Sequence, residues 1–137
     1  MSRNPSRPRS RHLLIAALLI AAPELGLPSP ATAKDTAQLQ IWFDGWGGGT
    51  VTSSPAGINC HQSRYDWQTG AGGQITGTCA ISVPAGTSVT LTARPDPDSY
   101  FNLWDQGDTP TITRTVSGSS SATVVFCPND DLCSAAY

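Results

Sequence analysis

The sequence predicts an all-β protein: a small, disulfide-bonded β domain of about six or seven short strands. Three observations support this prediction. After residue 33, apolar residues recur at every second position, and the three-and-four spacing of an amphipathic helix is absent. The alternating runs are separated by clusters of Gly, Pro, Ser and Asp, which are typical of turns. All four cysteines lie in this same part of the chain.

The first 33 residues have the three parts of a secretory signal. Residues 1–12 carry four arginines and no acid, residues 13–22 are an unbroken apolar run, and Ala31-Thr32-Ala33 is a small-x-small site. Ten helical residues rise about 15 Å, which is half the hydrocarbon thickness of a bilayer. We therefore expect cleavage between Ala33 and Lys34 and no stable membrane insertion afterwards; an uncleaved anchor is the alternative.

The remaining part, residues 34–137, has room for one domain. It carries four cationic side chains against nine aspartates, which gives a net charge of −5. The phosphate backbone of a nucleic acid would be repelled by this charge, so nucleic acid is not an expected partner. We divide the part after the signal into a single β module at 34–126 and a tail at 127–137.

The alternating runs give the expected strands in order. In the first, Leu39, Ile41 and Phe43 share one face, so Trp42 should point away from the core. Later strands are expected on the following apolar sets: Ile75, Gly77, Cys79, Ile81 and Val83; Val89, Leu91 and Ala93; and Ala122, Val124 and Phe126. Threonine and valine dominate these runs, as strands favour.

The run from Thr111 to Val116 is less regular, because Arg114 shares a face with Ile112 and Val116. An edge strand accommodates such a residue when its guanidinium reaches out to solvent. We predict an edge strand here.

The four cysteines are Cys60, Cys79, Cys127 and Cys133. An even count in a small exported chain predicts two disulfides, for which three connectivities exist. Zinc sites usually have paired CxxC spacing, which these cysteines lack, so we expect no metal and no cofactor. Disulfides also place the domain in the periplasm or outside the cell.

Several segments together resemble the divergent internalin B-type repeats of bacterial surface proteins. These segments are Gly48 to Cys60, Cys79, Pro84 to Ala93, Phe101, Trp104 and Ala122 to Phe126. The resemblance implies a grasp-like module or a compact sandwich, with Phe101 and Trp104 in its core. It implies no catalytic residues, because the family has none.

The chain departs from this family pattern in three ways. It has a single copy of the repeat, eighteen residues instead of a few lie between Cys60 and Cys79, and a tail pair of cysteines replaces the family's second pair. The resemblance pairs Cys60 with Cys79, which leaves Cys127 for Cys133. The long loop from His61 to Gly77 is then expected to have no counterpart in the family.

Catalysis and calcium binding are weakly supported. His61 is the single histidine after residue 33 and lies next to a cysteine that is expected to be oxidised. The aspartate pairs at 96 and 98 and at 105 and 108 lie among turn residues, where Asp usually bonds its own backbone. We expect no enzyme, although these two turns could converge on a calcium ion.

Exposed aromatics are the best candidates for a binding site, because such rings stack on sugars or fill partner pockets. The candidates are Trp42 on the first strand, and Arg64, Tyr65 and Trp67 in the long loop. Four glycines are expected to leave half of this loop flexible. The alternative is that the loop covers the sheet and Trp67 packs on Trp42.

Taken together, these features predict an exported, non-catalytic binding or structural module at the cell surface or in the periplasm. Its partner would be a surface protein or a glycan. A carbohydrate-binding module that uses the exposed aromatics is the alternative function.

Overall fold

The computed structural model describes Gly26, residues 35–130 and Cys133. The predicted signal segment, except Gly26, and most of the predicted tail lie outside the described residues. Eleven strands lie in the described part: β1 (Thr36–Asp44), β2 (Gly49–Ser54), β3 (Asn59–Gln62), β4 (Tyr65–Asp66), β5 (Ala71–Gly72), β6 (Ile75–Thr78), β7 (Ala80–Pro84), β8 (Thr87–Pro95), β9 (Ser99–Trp104), β10 (Thr111–Val116) and β11 (Ser119–Pro128).

No helix occurs among the described residues, so the all-β prediction is confirmed. None of these residues forms a helix that could cross a membrane. The strands are more numerous than expected, because the long cysteine loop itself contains β4 and β5 and the strands β2, β3 and β9 lack a regular apolar alternation.

One sheet has four strands in the order β7-β1-β11-β9. Its two central strands, β1 and β11, are parallel, and each edge strand pairs antiparallel to its neighbour. The alternation in β1 is the expected one: Ala37, Leu39 and Ile41 are buried, whereas Trp42 is 57% exposed. The inner face of this sheet therefore carries its apolar residues.

The other large sheet has five antiparallel strands in the order β10-β8-β2-β3-β6. Its inner face supplies Val51, Cys60, Val89 and Leu91 to the same hydrophobic cluster that contains Leu39 and its neighbours. The two sheets thus enclose one core, and of the two expected architectures the protein adopts the sandwich.

Aromatic side chains fill one end of this core around Phe126, which is fully buried. Its ring stacks against Phe43 at a centroid distance of 6.2 Å and meets the edge of Phe101 at 6.4 Å. Trp104 is also buried and donates its indole N–H to the Pro110 carbonyl at 3.3 Å. Phe101 and Trp104 therefore pack in the core, as the resemblance implied.

The chain passes from one sheet to the other at Cys79, which lies between β6 and β7. The single alternating strand expected from Ile75 to Val83 is therefore wrong. Ile75 lies on the edge strand β6 and is 53% exposed, whereas Val83 on β7 is buried.

Both disulfides are present, with Cys60 bonded to Cys79 and Cys127 bonded to Cys133. The first bond fixes β3 to the crossing between the sheets. In the second, Cys127 is fully buried, and Cys133 lies beside Asn102 of β9.

Arg114 lies on β10, an edge strand as predicted. Its guanidinium does not reach free solvent: the side chain is 13% exposed, pairs with Asp105 and donates to the Ser121 carbonyl at 2.7 Å. Because Ser121 belongs to β11 of the four-stranded sheet, this arginine bridges the two sheets.

Candidate functional site

The long cysteine loop folds into a hairpin that extends the β3–β6 pair. Ser63 and Gln74 continue the pairing, since the Ser63 N–H donates to the Gln74 carbonyl and the Ser63 hydroxyl accepts from the Gln74 N–H. Strands β4 and β5 follow, with Tyr65 opposite Gly72. The loop thus forms a hydrogen-bonded hairpin.

Gly72 shows why glycine is needed in this hairpin. Its φ is +86°, and a Cβ built there would lie 1.8 Å from the Arg64 carbonyl oxygen. A side chain at this position would therefore clash with the backbone of the facing strand.

Asp66 builds the tip of the hairpin. Its carboxylate accepts the Gln68 N–H at 2.9 Å and the Thr69 hydroxyl at 2.8 Å, and the Gly70 N–H donates to its carbonyl at 2.7 Å. The hydrogen bond from Thr69, followed by that from Gln68, lowers the pKa of the Asp66 carboxyl. Asp66 is therefore a structural turn residue.

Arg64 ties the base of the hairpin to the end of β11. Its guanidinium donates to the Asp130 carboxylate at 2.7 Å and lies 3.9 Å from that of Asp98. The hydrogen bond with Asp130 raises the pKa of Arg64 and lowers the pKa of Asp130. The hairpin is therefore held by a charge pair that joins residues 66 positions apart in the sequence.

Three of the four candidate binding residues, Arg64, Tyr65 and Trp67, lie together beside the hairpin. They line an open depression of about 450 Å³ whose lining residues are Arg64, Tyr65, Asp66, Trp67, Gln68, Pro128 and Asp130. Trp67 is 55% exposed, and Tyr65 is half-buried. Sequence reasoning found the hairpin residues, but it missed Pro128 and Asp130, for which the sequence gives no local signal.

Trp42, the fourth candidate, does not line the depression. It lies on the outer face of the four-stranded sheet, beside Thr123 of β11. Because Trp42 and Trp67 are each more than half exposed, the hairpin does not bury Trp42. The expectation that Trp67 covers Trp42 is therefore wrong.

His61 is paired with an aspartate of the turn that follows β8. His61 Nε2 lies 2.8 Å from Asp96 Oδ2. Asp96 and Asp105 lie in the turns at opposite ends of β9, so the two aspartate turns do not converge. Among the described residues, no three His, Cys, Asp or Glu side chains are placed to hold a metal ion.

The protein-family comparison identifies the repeat. The family model of the divergent InlB B-repeat domain matches residues 65–132 in a single copy. The matched range begins inside the cysteine loop, so it includes Tyr65 and Trp67, which we expected to have no counterpart, and it leaves out β1, β2 and β3.

No curated protein and no solved structure matches the chain. The repeat type and the two disulfides are those of a bacterial surface or extracellular module. Residues 65–132, from Tyr65 of the hairpin to just beyond β11, are similar to the divergent InlB B-repeat family.

Proposed function

We propose that the protein is an exported, non-catalytic binding module of the bacterial cell surface or periplasm, and that it binds its partner at the depression beside the β4–β5 hairpin. One observation carries the proposal: Tyr65, Trp67 and Arg64 together line an open depression beside the β4–β5 hairpin. Recognition residues commonly lie on loops that a rigid sheet holds in place.

The charges of the depression support binding more than catalysis. Arg64 and Asp130 neutralise each other, and the Asp66 carboxylate is used by the turn. A nucleophile would need a general base within hydrogen-bond reach. The Nε2 atom of His61, the histidine of the described part, contacts the Asp96 carboxylate instead. Two aromatic rings beside a paired arginine are a common composition of interface centres.

Attachment of the purified chain to envelope preparations tests the proposal. We expect Tyr65→Ala with Trp67→Ala to reduce attachment by at least about tenfold, as the loss of central aromatic contacts requires. Trp67→Ala alone should leave the melting temperature nearly constant, since Trp67 is more than half exposed. It is measured beside the double variant because Tyr65 is half-buried. Trp42→Ala is the matched control, because it removes an equally exposed tryptophan outside the depression. Unchanged attachment by the double variant would exclude this site and favour a structural spacer.

A carbohydrate-binding module is the second candidate, and the exposure of the Trp67 ring favours it. Sugar rings stack on flat, accessible aromatic faces. A glycan array separates this candidate from protein binding: specific signals that disappear with Trp67→Ala would support it. An array without signals, together with retained attachment to protease-sensitive envelope components, would show that the partner is a protein.

A further inference from the structure

The outer face of the five-stranded sheet carries two cross-strand rows of polar side chains. Because paired residues point to the same side of a sheet, the strand register assigns these rows directly. One row is Thr111, Thr92, Thr52, Asn59 and Thr78. The row beside it is Arg94, Thr50, His61 and Thr76. Neighbouring strands lie about 4.8 Å apart, so the rows present hydrogen-bonding groups at a regular spacing.

This face differs in charge from the rest of the domain. No carboxylate of the described residues belongs to either row, although eight aspartates lie between residues 35 and 130. Asp96 reaches only the rim, where it bonds to His61. The described aspartates lie in turns and at strand ends, so neither row contains a carboxylate of its own.

Arg94 is the cation of this face, and it is exposed. Arg64 pairs with Asp130, and Arg114 pairs with Asp105, but Arg94 has no ion pair within the described part of the chain. An unpaired arginine in such an acidic domain remains available to an external anion. Its guanidinium matches a carboxylate in a bidentate arrangement.

A groove of about 280 Å³ lies in this face, and its lining residues are Thr50, Thr52, Asn59, Thr92 and Arg94. Hydroxyl groups both donate and accept hydrogen bonds, and the asparagine amide does the same through separate atoms. The groove therefore combines one cation with four side chains that can bond to the hydroxyl groups of a ligand.

We propose that this groove binds the carboxylate-bearing sugar of an acidic polysaccharide, with Arg94 on the carboxylate and the threonine and asparagine side chains on the ring hydroxyls. A uronic acid carries a carboxylate and several hydroxyl groups on one ring. The row of Thr92, Thr52 and Asn59 extends beyond the groove to Thr111 on one side and Thr78 on the other, so neighbouring sugars of an extended chain find further hydroxyl groups. Repeated weak contacts along one polymer give a useful overall affinity even when each contact is weak.

The competing anionic polymers fit less well. A nucleic acid binds through many phosphate contacts, whereas the groove lining offers one cation, Arg94, among threonine and asparagine side chains that suit ring hydroxyls. An acidic peptide would need apolar contacts at the centre of its interface, and the described residues of the two rows contain none.

Binding to polygalacturonate, alginate and hyaluronate by the full chain tests the inference, with methyl-esterified polygalacturonate as the matched neutral ligand. We expect at least one uronate polymer to bind, its esterified or carboxyl-reduced form to bind at least about tenfold more weakly, and Arg94→Gln to cause a similar loss. Thr52→Val removes one hydroxyl at constant shape, so a smaller loss is expected. Tyr65→Ala with Trp67→Ala should leave this binding unchanged, which distinguishes the groove from the hairpin depression.

Three outcomes would overturn the inference: no binding to any of the three uronate polymers, equal binding of the esterified polymer, or equal binding by Arg94→Gln with an unchanged melting temperature.

Discussion

At the scale of single residues, Gly49 is required for space and not for backbone conformation. A Cβ at this position would lie 2.5 Å from the ring of Phe126, the buried centre of the aromatic cluster. We expect Gly49→Ala to lower the free energy of unfolding by about 1–3 kcal/mol, because overpacking forces neighbours to shift. Gly118→Ala is the control, since nothing lies within 4 Å of its Cβ. Urea denaturation measures both, and an equal effect of the two substitutions would contradict the close packing at Gly49.

Arg114 offers a second test at this scale, because it joins β10 of one sheet to β11 of the other. We expect Arg114→Met to lower the free energy of unfolding by about 1–3 kcal/mol, since it removes hydrogen bonds from a charged group and leaves Asp105 without its partner. Exposed Arg94→Met should change this free energy by less than about 0.5 kcal/mol. If both variants unfold at the same urea concentration as the unsubstituted protein, the bridge contributes nothing to stability.

At the scale of elements, sequence periodicity identifies strands with one clean buried face and fails elsewhere. It predicts β1, β8 and β11, whose apolar positions alternate along most of the strand. It misses β9, because a bulge opposite Val125 and Phe126 breaks the alternation. It also merges β6 with β7, because a period of two does not reveal that the chain changes sheets at Cys79.

In the candidate site, too, the sequence predicts features set by neighbouring residues but not contacts between residues far apart in the chain. The exposure of Trp42 follows from the alternation of β1, and the unusual length of the cysteine loop points to Tyr65 and Trp67. The pairing of Arg64 with Asp130 depends on how β3 and β11 are placed in the fold, and no local pattern encodes it.

The hydrogen bonds of the β4–β5 hairpin predict how two of its carboxyl groups titrate. Hydrogen bonds lower the pKa of both Asp66 and Asp130, so both carboxyls should titrate below the usual value of about 3.9 in an NMR titration. Arg64→Gln should raise the pKa of Asp130 and leave that of Asp66 nearly unchanged. Thr69→Val should raise the pKa of Asp66 and leave that of Asp130 nearly unchanged.

The sign of the pH effect on the hairpin follows from these shifts. Because the carboxyls have lower pKa values in the folded state, their contacts stabilise it fully above the unfolded-state pKa. This stabilisation is lost as the pH falls through the folded-state values. A titration in which Arg64→Gln leaves the pKa of Asp130 unchanged would contradict the ion pair.

At the scale of the whole molecule, the matched repeat is only part of the folded unit. The match begins at residue 65, yet β1 lies between β7 and β11, and β2 and β3 form the middle of the five-stranded sheet. The proposed binding surfaces are also composite. The hairpin depression combines Arg64 with residues of the matched range, and the polar groove combines Thr50 and Asn59 with Arg94.

The folding of two fragments tests most directly the central claim that the whole sandwich, and not the matched repeat, is the folding unit. Residues 35–137 should unfold in one cooperative transition. Residues 65–137 with Cys79→Ser should not fold, because they lose the fully buried Leu39, Ile41 and Val51. Each such side chain contributes about 1.5–3 kcal/mol, against a total stability of about 5–15 kcal/mol for a small domain. Cooperative unfolding and dispersed amide NMR signals in the shorter fragment would contradict the claim.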